Sequence, residues 1–426
     1  MTDPETKTSQ LAINGGAPVA PNGLRTKWPV HDERDKAALL DVLESGRWCS
    51  VNSSKDYTTH VARFEQAFAA WNGNRYAVAV NSGTSALVLA LRAVGIKAGD
   101  EVIVPAVTFI ASASAIVLAN AVPVFVDIEP ETYQLDPDAV EQALTDRTRA
   151  IMVVHYGGYP ADMDRILEIA KAHDLKVVED CAEGHGSEWR GTKIGAIGDV
   201  GAFSCQMGKP LTCGEGGIVT MNDEQVRDEC FSYANMGRSL DGAKYVHYVP
   251  ANNFRLSEFL GALLSAQLVR LDEQIEVRHE NGEYLAAELG KLDGVSALKR
   301  DPRITKRSYY FYFLRYDRAQ WNNIPRDKFL DALRAEGIRA GRAHNQPLYM
   351  NPVFTDPSAW ADTYGISFPD YSKVCCPESE RIYEHEICAL SKDFLMHREN
   401  CELVLEAVRK LRANIDKIPA ERAEPP

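Results

Sequence analysis

The chain has 426 residues, of which 47 are lysine or arginine and 60 are aspartate or glutamate, so its formal charge is −13 with histidine neutral. That excess of anions gives the surface no general attraction to nucleic-acid phosphates or anionic lipid. An apolar share of 45% with a charged share of 25% is that of an ordinary globular protein, not a disordered or fibrous one, and the length suggests two or three domains.

The opening MTDPETKTSQ lacks the basic and then apolar profile of a secretion signal, and no later run reaches the ~20 apolar residues of a membrane span. A cytoplasmic setting is expected. The nine cysteines, at 49, 181, 205, 213, 230, 375, 376, 388 and 401, show no C-x-x-C spacing, and the adjacent Cys375 and Cys376 do not fit a zinc site. Reduced, mostly buried thiols and no metal are expected.

Residues 1–25, with Gly15, Gly16, Pro18, Pro21 and Gly23, read as an irregular N-terminal arm. From about Tyr76 to Thr220, short apolar runs alternate with amphipathic stretches. The runs are YAVAV (76–80), EVIVP (101–105), VPVFVDI (122–128), AIMVVHY (150–156), KVVED (176–180), VGAFSC (200–205) and GGIVTM (216–221). Helix-like stretches at 85–94, 110–119, 137–143 and 163–173 fall between them. Strands joined by helical crossovers predict an α/β fold, a largely parallel sheet covered on both faces. Beyond it, 257–289 reads as one long helical stretch broken near Gly282, then 307–316 as a strand, and 326–336 and 401–411 as helices. The predicted division is an arm (1–25), a large domain (26–275) and a smaller C-terminal α/β domain (276–426) with a frayed tail at 420–426. No internal repeat or low-complexity tract is present.

Open parallel sheets bind ligands at the carboxyl ends of their strands, so the residues after each run matter most. Asn81-Ser82-Gly83-Thr84-Ser85 offers small residues, a hydroxyl and helix-start amides suited to a phosphate, although serine and threonine also serve as plain helix caps. Phe109 stands where it can stack on a flat ring, or equally be core. Asp180, at the end of KVVED and close to Gly184 and Gly186, puts a carboxylate at a buried strand end, where a protonated ring nitrogen is a fitting partner and a turn-capping aspartate is the ordinary alternative. Lys209, between two strands and ahead of the glycine-rich run Gly214-Glu215-Gly216-Gly217, is placed for Schiff-base chemistry in a pocket that lowers its pKa by desolvation or nearby cations.

Ser204 and Lys209 at this spacing, followed by Thr212 and GEGG, resemble the signature of the DegT/StrS-type sugar and cyclitol aminotransferases, a fold type I family that uses pyridoxal 5'-phosphate. NSGTSAL, VPAVTFIASA, EDCAEGHG and NNFRLSEFLGALLSAQL match in order. The likeness runs from the LAINGGAPV arm through GRWCS and FEQAFAAW and weakens after about Lys299. It implies a large domain with a mostly parallel, mixed seven-stranded sheet and a smaller C-terminal domain. It implies further that Lys209 forms the Schiff base and moves the proton, Asp180 pairs with the pyridine nitrogen, and Phe109 stacks on the ring. Gly83, Thr84 and Ser204 would hold the phosphate, and Asn253 would reach the phosphate of a neighbouring subunit in a homodimer with shared active sites.

Three positions depart from the family pattern. Glu183 stands where relatives commonly carry glutamine or histidine near the cofactor's phenolic oxygen, which an ionised carboxylate would repel. Ala251-Asn252 replaces a Gly-Tyr pair, leaving Asn252 as an alternative to Asn253, and Cys205 replaces an aromatic residue. His344, in HNQPLY, is a candidate for substrate contact; His155 and His185 read as structural, and Trp28, Arg47 and Trp48 as entrance residues.

The resemblance implies an aminotransferase moving an amino group from L-glutamine or L-glutamate to a keto group of a cyclitol or sugar. It lies nearest to the branch that uses glutamine with keto-inositols or forms aminohydroxybenzoate. A nucleotide-linked keto sugar is the alternative acceptor, and the acidic chain shows no basic patch for its diphosphate. Two other classes are a sugar dehydratase on the same fold, whose relatives replace the lysine with histidine, and a non-catalytic regulator, which has no need of Lys209.

Overall fold

The computed structural model describes residues 10–50, 59–243 and 245–419; the tail expected to fray, 420–426, lies outside them. Seven strands form the main sheet: β1 (Tyr76–Val80), β2 (Glu101–Pro105), β3 (Val122–Val126), β4 (Thr148–Val154), β5 (Lys176–Asp180), β6 (Val200–Ser204) and β7 (Gly217–Met221). Their order is β1-β7-β6-β5-β4-β2-β3. All pair in parallel except β7, which runs antiparallel to both its neighbours. Each predicted run is a strand. The third ends two residues early, and the fourth starts at Thr148 and ends at Val154, because the chain turns at Tyr156–Gly158.

Strands β2, β6 and β7 are buried along their whole length, which explains continuous apolar runs where a half-exposed sheet would alternate. Successive side chains still point to opposite faces: Val78, Val80, Val102 and Val104 join one core, whereas Ala79 and Ile103 face the other side. Helices α1 (Glu33–Ser45), α2 (His60–Asn72), α3 (Gly83–Ala93), α4 (Ala111–Leu118), α5 (Pro137–Gln142), α6 (Met163–Ala172) and α7 (Glu224–Ala234) accompany the sheet. The carboxyl ends of β4, β5 and β6 are level, with Val154 opposite Asp180 and Asp180 opposite Ala202. That register brings the residues after them to one edge.

The long stretch expected at 257–289 is two helices, α8 (Glu258–Leu268) and α9 (Leu271–Leu289). The break falls at Val269 and Arg270, not at Gly282. Gly282 is inside α9 because a Cβ there would lie 2.4 Å from the ring of Tyr309; its role is close packing. Leu271 and Ile275 belong to a core of the main sheet and Leu285 and Leu289 to a second core, so α9 joins the two. The second core holds an antiparallel sheet of β8 (Val295–Ala297), β9 (Phe311–Tyr316) and β10 (Ile387–Ser391) with helices α10 (Arg326–Ala335) and α11 (Arg398–Ala413). Arm residues Leu11 and Ala20 are buried in it, and the Ala12 and Val19 amides donate to the Glu336 carboxylate at 2.9 and 3.0 Å. In the other direction, Leu348, Tyr349, Phe354 and Tyr371 pack into the main-sheet core. Seven of the nine cysteines are buried and all nine are free. Among the described residues no helix is long and apolar enough to cross a membrane.

A pair of acids lies where α2, α8 and β1 meet. Glu65 accepts a hydrogen bond from the Ala79 amide at 2.8 Å, and Glu258 accepts from the amides of His60 and Val61 at 2.6 and 3.3 Å. Burial, reinforced by the charge of Glu258, pushes the Glu65 carboxyl from the ordinary 4.5 up to about 8. The unfolded chain releases this proton near 4.5 while the folded one keeps it to about 8, so the group's contribution to stability is complete below 4.5 and is lost as pH rises through 8. Glu65→Gln retains an acceptor for Ala79 and does not ionise. Its melting temperature is expected to gain about 2–4 °C or more on the wild type between about pH 5 and 8, with a constant lead above that. Calorimetric curves that stay parallel across the range refute this.

Candidate active site

A cavity of about 450 Å³ opens at the carboxyl edge of the main sheet and is lined by Gly83, Thr84, Phe109, Asp180, Glu183, Ser204 and Lys209. Thr108, Ser112, Gln206, Tyr310 and His344 line it as well. Loops that follow β1, β2, β5 and β6 thus meet residues beyond α9, Tyr310 on the approach to β9 and His344 beyond α10.

Lys209 is on the loop between β6 and β7, which is closed by Cys205 donating to Gly216 O at 2.8 Å and Lys209 N donating to Gln206 O at 2.8 Å. Its Nζ donates to Glu183 Oε1 at 3.3 Å and lies 4.1 Å from the centre of the Tyr310 ring. Burial alone would lower this lysine, but Glu183, Tyr310 and Asp180 outweigh it and hold the pKa above its ordinary value. The expected lowering is therefore corrected for the protein by itself: its nearest charged groups are carboxylates, not cations. Glu183, buried, accepts a second hydrogen bond at Oε2 from the Gly157 amide at 2.9 Å. In this arrangement the carboxylate anchors the lysine.

Asp180 ends β5, buried, with hydrogen bonds from Ser112 Oγ at 2.7 Å and the Ala182 amide at 3.1 Å. Burial raises its carboxyl even so, and a cation in the cavity would relieve that cost. Ser112 is itself 3.1 Å from Thr108, so α4 supplies both an orienting hydroxyl and, just before its start, Phe109. That phenyl group is 55% exposed, a large apolar face turned to open space.

At the other end, Ser82 caps α3 by accepting from Ser85 N at 3.0 Å. Gly83 and Thr84 begin the helix, where the first amides have no partner within the helix. A Cβ on Gly83 would lie 2.6 Å from Ser204 Cβ, so only glycine lets the helix start approach the Ser204 hydroxyl this closely. A carboxylate, a flat apolar face, an amine and a cradle of amides and hydroxyls suit a planar cationic ring that carries an aldehyde and a phosphate.

Asn253 does not line this cavity; it is exposed, bridges Asn235 and accepts from Arg255 N at 3.3 Å. Asn252 is likewise exposed. Trp28 Nε1 donates to Met207 O at 2.6 Å, next to the site, whereas Arg47 and Trp48 are exposed and away from its lining. His155 is buried with both ring nitrogens engaged: Nδ1 accepts from Ala161 N and Nε2 faces Glu179 Oε2, each at 3.1 Å. Glu179 also accepts the amides of Gly195, Ile197 and Gly198. With Cys181 these side chains have metal-ligand composition, but their hydrogen bonds fasten β5 to the following loop. His185 packs 5.2 Å from Phe203, and burial pushes its pKa down to about 3.

Sequence reasoning missed Ser112 and Tyr310. Ser112 follows Phe109 by nearly one helical turn, a spacing that points both to the same side. Tyr310 was hidden in an expected strand, which begins only at Phe311.

The sequence profile of the DegT/DnrJ/EryC1/StrS aminotransferase family matches residues 29–409. The L-glutamine:scyllo-inosose aminotransferase of Streptomyces griseus is 36% identical over 428 residues, covering 96% of this chain and 99% of that one. The L-glutamine:2-deoxy-scyllo-inosose aminotransferase of Streptomyces fradiae is 40% identical over 341 residues, 77% of this chain and 79% of that one. Among solved structures, 3-amino-5-hydroxybenzoic acid synthase superposes with a TM-score of 0.79 at 34% identity, over 91% of this chain and 99% of the other.

Proposed function

The chain belongs to the DegT/DnrJ/EryC1/StrS aminotransferase family, and from that premise we propose that it transfers the amino group of L-glutamine to the keto group of a cyclitol, using pyridoxal 5'-phosphate. The observation that carries the reading is the half-buried Lys209, held between Glu183 and Tyr310 in the same cavity as Asp180. When bound, the cofactor supplies an electron sink for moving a proton and an amino group between two carbon skeletons.

The protein's part is binding, orientation and proton handling. Asp180 would receive the cationic ring nitrogen, its carboxylate being held by hydrogen bonds from Ser112 Oγ and the Ala182 amide. Phe109 offers a face for the ring, and the start of α3 with Ser204 takes the phosphate. Lys209 Nζ would be the amine placed for the cofactor's aldehyde, a condensation that releases water, and would hold or move the proton at that point. Glu183 keeps that ammonium in place until the amine is needed. Asn253 is assigned to a second copy's phosphate in a homodimer; Met236, Val246 and Tyr248, exposed in the same region, support a pairing surface there. The division 1–25, 26–275 and 276–426 is kept as part of this proposal; cores centred on the two sheets support it, while Leu11 and Ala20 of the arm pack on the second and 348–371 return to the first.

Glutamine supports the reading because both aminotransferase relatives above are named for it. The cyclitol is supported by the same names and by a cavity whose lining, among the described residues, holds Lys209 and no arginine. The test is conversion of the loaded enzyme's visible spectrum by L-glutamine and L-glutamate separately, followed by keto-inositols or nucleotide-linked keto sugars. Conversion by glutamine and turnover of a keto-inositol are expected. A spectrum indifferent to both donors, or turnover of nucleotide sugars alone, overturns the proposal.

A further inference from the structure

His344 enters the cavity from the second unit and is held by groups outside it. Its Nδ1 is 2.9 Å from the hydroxyl of Tyr156, which is 3.5 Å from the hydroxyl of Tyr383. Both tyrosines are buried. The imidazole stacks on the Tyr156 ring at 5.7 Å, with Phe109 at 6.0 Å and the edge of Phe311 at 6.4 Å. Tyr156 is fixed in turn: its amide donates to Gln134 Oε1 at 3.0 Å, and the next amide, of Gly157, holds Glu183. One short turn after β4 therefore sets both the carboxylate beside Lys209 and the histidine at the cavity wall.

A neutral imidazole has one N–H and one bare nitrogen, and the bond made by one nitrogen decides which is which. Burial keeps the phenols of Tyr156 and Tyr383 protonated and His344 neutral, with Lys209 adding to the second effect against Glu183. Tyr156 has a proton to donate, and His344 Nδ1 is its nearer acceptor.

We propose that the Tyr383–Tyr156 pair locks His344 as the Nε2–H tautomer, and that this N–H is the donor that recognises a keto or hydroxyl oxygen of the cyclitol. This rests on the function proposed above and adds a specificity-determining residue to it. An uncharged donor matches an uncharged oxygen. A diphosphate calls for charge-assisted partners, and Lys209, among the described residues the one lysine or arginine lining this cavity, is already paired with Glu183.

Two measurements test the assignment. Long-range proton–nitrogen spectra of histidine-labelled protein, without substrate, are expected to show His344 as Nε2–H in the wild type and as a mixture in Tyr156→Phe. A dominant Nδ1–H form in the wild type overturns the proposal whatever the substrate is. In the loaded enzyme, His344→Asn, whose amide reaches only the Nδ1 position, is expected to raise KM for the keto cyclitol about 10- to 100-fold and to shift KM for glutamine far less. His344→Gln, whose amide reaches the Nε2 position, recovers most of the loss. Equal effects of Asn and Gln, or equal shifts in both KM values, mark a purely structural histidine and overturn it. Use of nucleotide sugars in place of cyclitols shows in the wild type before any variant is made, and overturns the functional reading separately.

Discussion

Lys209→Ala is expected to lower turnover by at least ~10⁴-fold, because it removes a nucleophile and a proton carrier together. Among the described residues no other lysine or arginine lines the cavity to replace it. The change also takes away the ammonium that neutralises Glu183, leaving that buried carboxylate with the Gly157 amide, so melting temperature falls as well. Lys209→Arg separates the two losses: it restores a cation for Glu183 and the melting temperature, yet supplies no amine for the aldehyde and stays inactive. Turnover of either variant within 100-fold of the wild type excludes Lys209 as the reacting amine. The raised pKa has its own consequence. Bond formation to an aldehyde requires the neutral amine, whose fraction grows with pH toward a value held high by Glu183, Tyr310 and Asp180. The rate of cofactor uptake by the unloaded protein is therefore expected to climb with pH through the alkaline range and to climb at lower pH in Glu183→Gln. Identical profiles for the two proteins refute the anchoring role of Glu183.

Asp180→Asn is expected to lower turnover ~10²- to 10⁴-fold without lowering stability. The carboxylate is held by Ser112 and Ala182 in a buried place that raises its pKa. A group with a raised folded pKa costs stability once ionised, and neutral asparagine of the same shape relieves that cost. The unloaded variant should melt at the wild-type temperature or slightly above it at neutral pH. Loss of activity at unchanged or improved stability is the mark of a charge kept for chemistry. An asparagine variant within tenfold of wild-type turnover overturns the pairing of Asp180 with a cationic ring. A less stable variant shows that the carboxylate serves the fold. Calorimetry and steady-state assays on one preparation measure both.

The strands were the most readable part of the chain. Their runs are buried on both faces, and local composition alone marks a segment that must exclude water on two sides. The cavity residues were readable for a related reason: small residues, Phe109, Asp180 and Lys209 follow strand ends, and a parallel sheet brings those ends to one edge. Gly282 misled because glycine weakens an isolated helix, while here the Tyr309 ring fills the space that a side chain would occupy. Ser112 and Tyr310 were missed because their importance lies in what they touch, the Asp180 carboxylate and the Lys209 ammonium.

By itself the sequence determined the order of the main-sheet strands and their helices along the chain, the edge where the cavity opens, and the lysine and aspartate that line it. These depend on patterns of neighbours along the chain, which burial and strand ends write locally. The tertiary structure alone decided that Glu183 faces Lys209 and raises it, that the Tyr156 hydroxyl meets His344 Nδ1, and that residues 348–371 return to the main sheet. Each is a meeting of groups 26 to 248 positions apart, and pKa and hydrogen-bond direction answer to distance in space, which no local pattern records.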